Sequence, residues 1–400
     1  MKLLVSLVLV VHLFFPIHQK FTKKAASLDL VSENYILYSV DTGMVVFERN
    51  NDIQLKPASI LKVLTTITAL DMLDSEALDD VIIVDPKILN RVAPSSSKAG
   101  FLPYQKLTVK DVLYGIMLPS GADATALISY YLAEGELDFV RSMNEKAKAL
   151  GMQNTQVANT SGLDHSQQHT TLDDLLILLR YALQNETFVE IYTQTQYTLT
   201  HDSNFVMQDR VLSQAHSLYD YHYLLGAKSG FTYLARRSLS SVASNDNSTY
   251  IFISTQANPQ LDINIPNEAL KDAIKVYDYM FENFVVTNID VIEYPKVNFK
   301  RKIFSQTIEI PSLQVLLPQT MDPNEIVHVY EFNSDLKVPI AKDTVIGQHK
   351  LYYDDELLGT VDLLINEKLG IDPLYYGAWG IGTLTAMLVL VVVIKRKQRS

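Results

Sequence analysis

The chain has 400 residues, a net charge of −11 and no cysteine. Such a length exceeds what one hydrophobic core organises and points to two domains with additional segments. The missing cysteine excludes disulfides, thiol catalysis and Cys-ligated metal, and an acidic balance without a basic stripe argues against a nucleic-acid partner.

Behind Lys2, the apolar run Leu3 to Ile17 has the length of a signal-peptide core and is short for a membrane span, so residues 1–26 read as an export signal. The stretch YILYSVDTGMVVFERN follows, two β-branched and aromatic runs around Asp41-Thr42-Gly43, which predicts a hairpin. Helical periodicity then occupies Ser59 to Leu73, Val109 to Leu132, Phe139 to Leu150 and Thr171 to Leu183. Strand patterns return at Leu239 to Ser244 and Tyr250 to Ser254, before a helix from Asn267 to Phe284. Residues 27–285 are therefore an α/β (α+β) domain whose first and last strands are expected to pair across the helical middle. From 286 to 370 the pattern changes to short strands and turns, a small all-β domain.

Leu374 to Ile394 is free of charge and, at about 21 residues, makes roughly 31 Å of helix, enough to cross a bilayer. Tyr375, Tyr376 and Trp379 flank one side, and Lys395, Arg396, Lys397 and Arg399 the other. The positive-inside rule puts residues 395–400 in the cytoplasm and the rest outside, a single-pass protein of the cell membrane.

Three stretches carry candidate chemistry. In KPASILKVLTT, Pro57 suits a helix start, and Ser59 and Lys62 lie one turn apart on a common face. A serine needs a base to become a nucleophile, and a lysine serves only if burial or a second cation lowers its pKa. Unpaired N–H groups at the helix start could hold an oxyanion. The same spacing also fits an ordinary amphipathic helix start, and Ser-x-x-Lys recurs at Ser95–Lys98 and Ser334–Lys337 without an apolar helical context. In LPSGADATALISYY, Ser120 lies at a loop-to-helix junction, as a proton relay or as a mere cap. In GAKSGFTYLA, Lys228 and Ser229 could bind a carboxylate from a strand edge, with Gly230 letting substrate backbone approach. Alternatively, Lys228 is a solvated edge lysine.

Together and in this order, with SVDTGMVVFERN, MNEKAKALGMQNTQVANTSGLD and the later VPIAKDTVIGQHKLYYDDELLGTVDLL, these stretches resemble the low-molecular-mass penicillin-binding D-alanyl-D-alanine carboxypeptidases over residues 30–370. The resemblance implies a β-lactamase/transpeptidase-like domain, with an antiparallel sheet covered by helices, followed by a membrane-proximal β-sandwich spacer. It implies Ser59 as the acylated nucleophile, Lys62 as its base and Ser120 as the relay to the leaving amine. It also implies that Lys228 lowers the pKa of Lys62, that Ser229 binds the substrate carboxylate, and that the N–H groups of Ser59 and Phe231 form the oxyanion hole. The implied substrate is the pentapeptide stem of peptidoglycan, with β-lactams as inhibitors and neither cofactor nor metal.

Three positions depart from that pattern. Ala122 stands where the family has an asparagine bridging the lysine and the substrate amide. Ala269 stands where an arginine for the substrate carboxylate is expected, and Ser229 replaces a threonine. Two other functions follow from these departures and from the shared chemistry. One is a degenerate homologue that binds muropeptides or wall-synthesis partners with little turnover. The other is a β-lactamase, for which no Glu-x-x-x-Asn element is evident between Leu163 and Phe205.

Overall fold

The computed structural model describes residues 28–257, 267–289, 296–297, 299, 306–307, 313–333, 335–353 and 356–370. The expected export signal, the expected span at 374–394 and the expected tail at 395–400 lie outside the described residues, and no helix of the described residues is long and apolar enough to cross a membrane. The chain divides into two compact units between Val285 and Val286.

In the first unit, β1 (Asn34–Ser39) and β2 (Met44–Arg49) form the expected hairpin. Gly43 takes the positive φ of 71° that the turn requires. Two short ribbons intervene, β3 (Val81–Ile83) with β4 (Lys106–Thr108) and β5 (Gln196–Leu199) with β6 (Asp202–Gln208). The chain then returns to the main sheet through β7 (Leu224–Thr232), β8 (Arg236–Ser244) and β9 (Thr249–Ala257). The sheet is antiparallel in the order β2-β1-β9-β8-β7, with Asn34 opposite Thr255 and Ser39 opposite Tyr250, so its first and last strands do pair.

A 3₁₀ turn, Ala58–Leu61, leads into α1 (Lys62–Met72). Eight successive residues of α1, Lys62 to Ala69, are buried. A helix buried on all sides must be enclosed by other helices. These follow in order, after the single turn α2 (Pro86–Leu89), as α3 (Val109–Met117), α4 (Ala122–Leu132), α5 (Glu136–Leu150) and α6 (Leu172–Ala182). Their apolar sides share one core with Leu64, Ile67, Val112, Ile128, Phe139 and Leu175.

The sequence reads one helical period from Val109 to Leu132, but the chain breaks it at Leu118-Pro119-Ser120-Gly121. Pro119 lacks an N–H and disfavours helical backbone before it. Thr108 and Asp111 form a reciprocal capping box at the start of α3. Two short helices lacked a long enough period to be read, α7 (Glu186–Tyr192) and α8 (Arg210–Leu218). The opposite face of the sheet is covered by α9 (Glu268–Asn283), where the Tyr277 hydroxyl receives the N–H of Phe252 at 3.1 Å and lies 2.9 Å from Ser241 Oγ.

The second unit is built of strands. β10 (Phe284–Ile289) pairs with β13 (Leu313–Pro318), and β11 (Lys296–Val297) with β12 (Gln306–Thr307). A three-stranded antiparallel sheet joins β14 (Val327–Phe332), β15 (Val345–Tyr353) and β16 (Glu356–Leu364). Two small cores serve it, one including Val338, Ile346 and Leu363, the other Val315, Leu317 and Leu351.

Candidate active site

The turn before α1 is closely packed. Ala58 has φ of 46°, a strained value for a residue with a side chain. Two glycines make room for it. A Cβ on Gly162 would lie 1.9 Å from the Ala58 carbonyl oxygen, and one on Gly230 would lie 2.8 Å from both Ala58 Cβ and Ser59 N. The absence of a side chain at Gly230 thus admits the turn that carries Ser59. That turn is wedged between β7 and the Asn159–Leu163 segment. Asn159 shapes this segment, its side-chain oxygen accepting from Gly162 N at 2.8 Å and its amide donating to the Leu163 carbonyl at 2.9 Å.

Lys62 Nζ donates to Ser59 Oγ at 3.1 Å and to the Ser161 carbonyl at 2.5 Å. Lys62 is 2 % exposed. Burial, and next the positive charge of Lys228, push its pKa well below the ordinary lysine value, while Asp123 opposes the shift. A lowered pKa favours the neutral amine, the form that can accept a proton.

Lys228 is 1 % exposed although β7 is the edge strand, so it is not a solvated lysine. Its side chain projects on the same face as Gly226 and Gly230. A Cβ at Gly226 would meet the Tyr192 ring at 2.4 Å, so Lys228 lies in a trough between Tyr192 and the Ala58–Ser59 turn. Burial lowers its pKa to about 8, with Asp209 opposing the shift.

Ser120, between α3 and α4, has φ of 62°, and its hydroxyl is buried without a hydrogen-bond partner. Next to it, the Asp123 carboxylate accepts N–H groups of Ala99, Gly100 and Ala124 at 2.7, 2.9 and 3.0 Å, and Ala122 N donates to the Ser97 carbonyl at 2.8 Å. These bonds fold the Ser95–Ser97 loop over the start of α4.

The result is a small open cleft. Ser59 and Lys62 form its floor, and Ala122, Gly162 and Phe231 are among its walls. Ser95, Ser96 and Ser97 also line it, although their Ser-x-x-Lys spacing had no helical context to single it out. Neither Ser120 nor Ser229 is part of the wall, and Ser229 is half-buried. Ala269 is fully buried in the first turn of α9, so that position presents no side chain to the cleft. Sequence reasoning missed two features here. One is the Ser95–Ser97 loop, recognisable only through its bonds to α4. The other is Asp164, which accepts from Thr232 Oγ1 at 2.7 Å and joins the loop after Gly162 to the end of β7.

An antiparallel sheet flanked by helices, with a serine hydrogen-bonded to a buried lysine one turn along a central helix, defines a serine enzyme that works by acyl transfer. Residues 19–258 match the family model described as D-alanyl-D-alanine carboxypeptidase, and residues 312–370 match the one described as penicillin-binding protein 5, C-terminal domain. The chain belongs to the D-alanyl-D-alanine carboxypeptidase family. It is 25% identical over 363 residues to the D-alanyl-D-alanine carboxypeptidase DacF of Bacillus subtilis (strain 168), covering 87% of this chain and 88% of that one. It is 33% identical over 162 residues to the DacC carboxypeptidase of Escherichia coli (strain K12), covering 39% and 40%. Among solved structures, penicillin-binding protein 5 from Haemophilus influenzae shares the fold with a TM-score of 0.72 at 21% identity, over 85% of this chain and 98% of that one.

Proposed function

We propose that the protein removes the terminal D-alanine from peptidoglycan pentapeptide stems through an acyl-enzyme on Ser59, and that β-lactams acylate the same hydroxyl. The observation that carries this reading is the 3.1 Å contact between Lys62 Nζ and Ser59 Oγ, with the amine held low by burial and by Lys228. Neutral Lys62 takes the Ser59 proton as Oγ attacks the penultimate carbonyl. The developing oxyanion is held by the N–H groups of Ser59 and Phe231. The close approach of Gly230 to Ser59 N supports this, because it brings the residue before Phe231 against the nucleophile. Ser120 relays the proton to the leaving D-alanine amine, a role that suits a strained residue with an unpartnered hydroxyl. Protonated Lys228, with Ser229, receives the substrate's terminal carboxylate. Water then releases the acyl group. A fluorescent penicillin should label the protein, and intact mass should show one acyl group lost in Ser59→Ala. Unchanged labelling of Ser59→Ala would sink the assignment.

We infer further that residues 1–26 direct export and that Leu374 to Ile394 anchors the protein once, with the β-domain, as a sandwich, spacing the cleft from the bilayer. The support is the charge-free run followed by Lys395, Arg396, Lys397 and Arg399. Protease added to intact cells should strip residues 27–370 while a tag after Ser400 survives. Digestion of that tag would reverse the orientation.

A further inference from the structure

In the proposed function the two buried lysines need different charge states: Lys62 must be neutral to act as base, and Lys228 must be protonated to bind a carboxylate. Both are buried, and burial penalises the protonated form of each. The base role of Lys62 benefits from that penalty, whereas the role of Lys228 requires something to offset it.

We propose that Asp209 is the buried counter-charge that keeps Lys228 protonated, and that it thereby sets the alkaline limit of the enzyme. This rests on the functional reading above. Asp209 is 5 % exposed and caps α8, accepting the N–H groups of Val211 and Leu212 at 2.8 Å each. α8 packs on β7, the strand that carries Lys228. Asp209 N also donates to the Thr195 carbonyl at 2.8 Å, three residues beyond Tyr192 at the end of α7. Tyr192 packs on Gly226, the position next to Lys228 on the same face of β7. The carboxylate is therefore buried at the end of a helix that packs on the strand of Lys228, and it acts on the ammonium across that packing, with no direct hydrogen bond or ion pair between them. Lys228 itself donates only a long 3.4 Å bond to the Ser229 carbonyl.

The groups around Lys228 leave this assignment to Asp209. From α1 it faces Lys62, and β8 opposes it with uncharged Ser240. α7 contributes Tyr192, whose pKa is raised by burial and further by Asp209, so that it stays neutral. Asp123 acts on Lys62. Asp209 alone raises the Lys228 pKa, and Lys228 in turn opposes the burial that lifts Asp209 to about 6.

Between those two values, about 6 and about 8, Asp209 is ionised and Lys228 protonated. Without the carboxylate charge, Lys228 loses its proton at lower pH. The cleft then loses both its carboxylate site and the positive charge that keeps Lys62 low. Below about 6 Asp209 is itself protonated, so removing it should matter little there.

Asp209→Asn tests this, because asparagine caps a helix as well as aspartate does and removes only the charge. Asp209→Ser, another good cap, repeats the test with a smaller side chain. Acylation of the full-length protein by a penicillin is followed from pH 5.5 to 9.5. Parent and variants should agree within about twofold below pH 6. Above that they should diverge, with the alkaline limb about one unit lower and the rate at pH 8.5 roughly tenfold down, one pKa unit being a tenfold shift in proton occupancy. A variant profile lowered by the same factor at every pH, or superimposed on the parent's, would overturn the proposal. A parent that no penicillin acylates overturns the functional reading and this inference with it.

Discussion

Both units bury ionisable side chains, with opposite consequences. In the first, Lys62 lies at the floor of a cleft against a serine hydroxyl and a backbone carbonyl, and Lys228 is buried behind it on β7. In the second, His349 is 1 % exposed on β15, 3.2 Å from the His328 ring and stacked on Tyr330 at 4.5 Å. Burial and then His328 push His349 down to about 4, so it is neutral at physiological pH. The same desolvation that favours a base beside Ser59 leaves His349 a neutral ring stacked with His328 and Tyr330. Burial perturbs a pKa wherever it occurs, and only a nucleophile and an opening turn the perturbation into chemistry.

The largest expected effect breaks that comparison at the nucleophile. Ser59→Ala should abolish penicillin labelling, while a change at His349 should leave it intact at pH 7, as read by gel fluorescence. Next, the turn should prove intolerant of a single carbon. Gly162 and Gly151 share a φ of 86°, but nothing lies within 4 Å of a Cβ at Gly151. Gly151→Ala should cost only the left-handed backbone, about 1–2 kcal/mol. Gly162→Ala should cost more than about 4 kcal/mol or displace the Ser59 turn, because its Cβ would overlap a backbone oxygen. Thermal melts and labelling of both variants check this, and equal losses would refute the packing argument.

In the second unit the histidine should appear as acid sensitivity. Its folded pKa, about 4, lies below the ordinary 6.5, so the unfolded chain binds the proton first. Stability should be undiminished above about 6.5, fall as pH drops towards 4, and lose up to about 3 kcal/mol. His349→Phe should remove the slope, read as hydrogen-exchange protection of β14 and β15 corrected for intrinsic rate. A slope that persists would place the acid sensitivity elsewhere. The smallest effect sharpens the first unit. Ala122→Asn offers a hydrogen bond to the neutral amine or the substrate amide, worth about 0.5–1.5 kcal/mol. It should raise the acylation rate constant at saturating penicillin several-fold to about tenfold. Stopped-flow mixing of both proteins measures it, and an unchanged rate would show that the cleft makes up for the alanine by other contacts.

Much of this was legible in the chain. Alternation around Asp41-Thr42-Gly43 dictates the hairpin, the periodicity after Ser59 dictates a buried helix, and the spacing of three puts Ser59 and Lys62 on one side of it. These follow from contacts a few residues long, which local sequence encodes. Family membership was also readable, because ordered motifs survive where overall identity is low.

Tertiary structure alone decided how deep the lysines lie. Lys228 sits on an edge strand, where sequence predicts a solvated amine, yet two glycines two residues away on either side let Tyr192 and the Ala58–Ser59 turn close over it. Nothing local in Ser95-Ser96-Ser97 distinguishes it from a solvated loop until Asp123 and Ala122 bind the loop to α4 from more than twenty residues away. Asp209 reads as an ordinary helix cap, and only the packing of α8 on β7 brings its charge towards Lys228. Electrostatic environment depends on which distant segments exclude water, and that is a property of the folded chain that no short window of sequence contains.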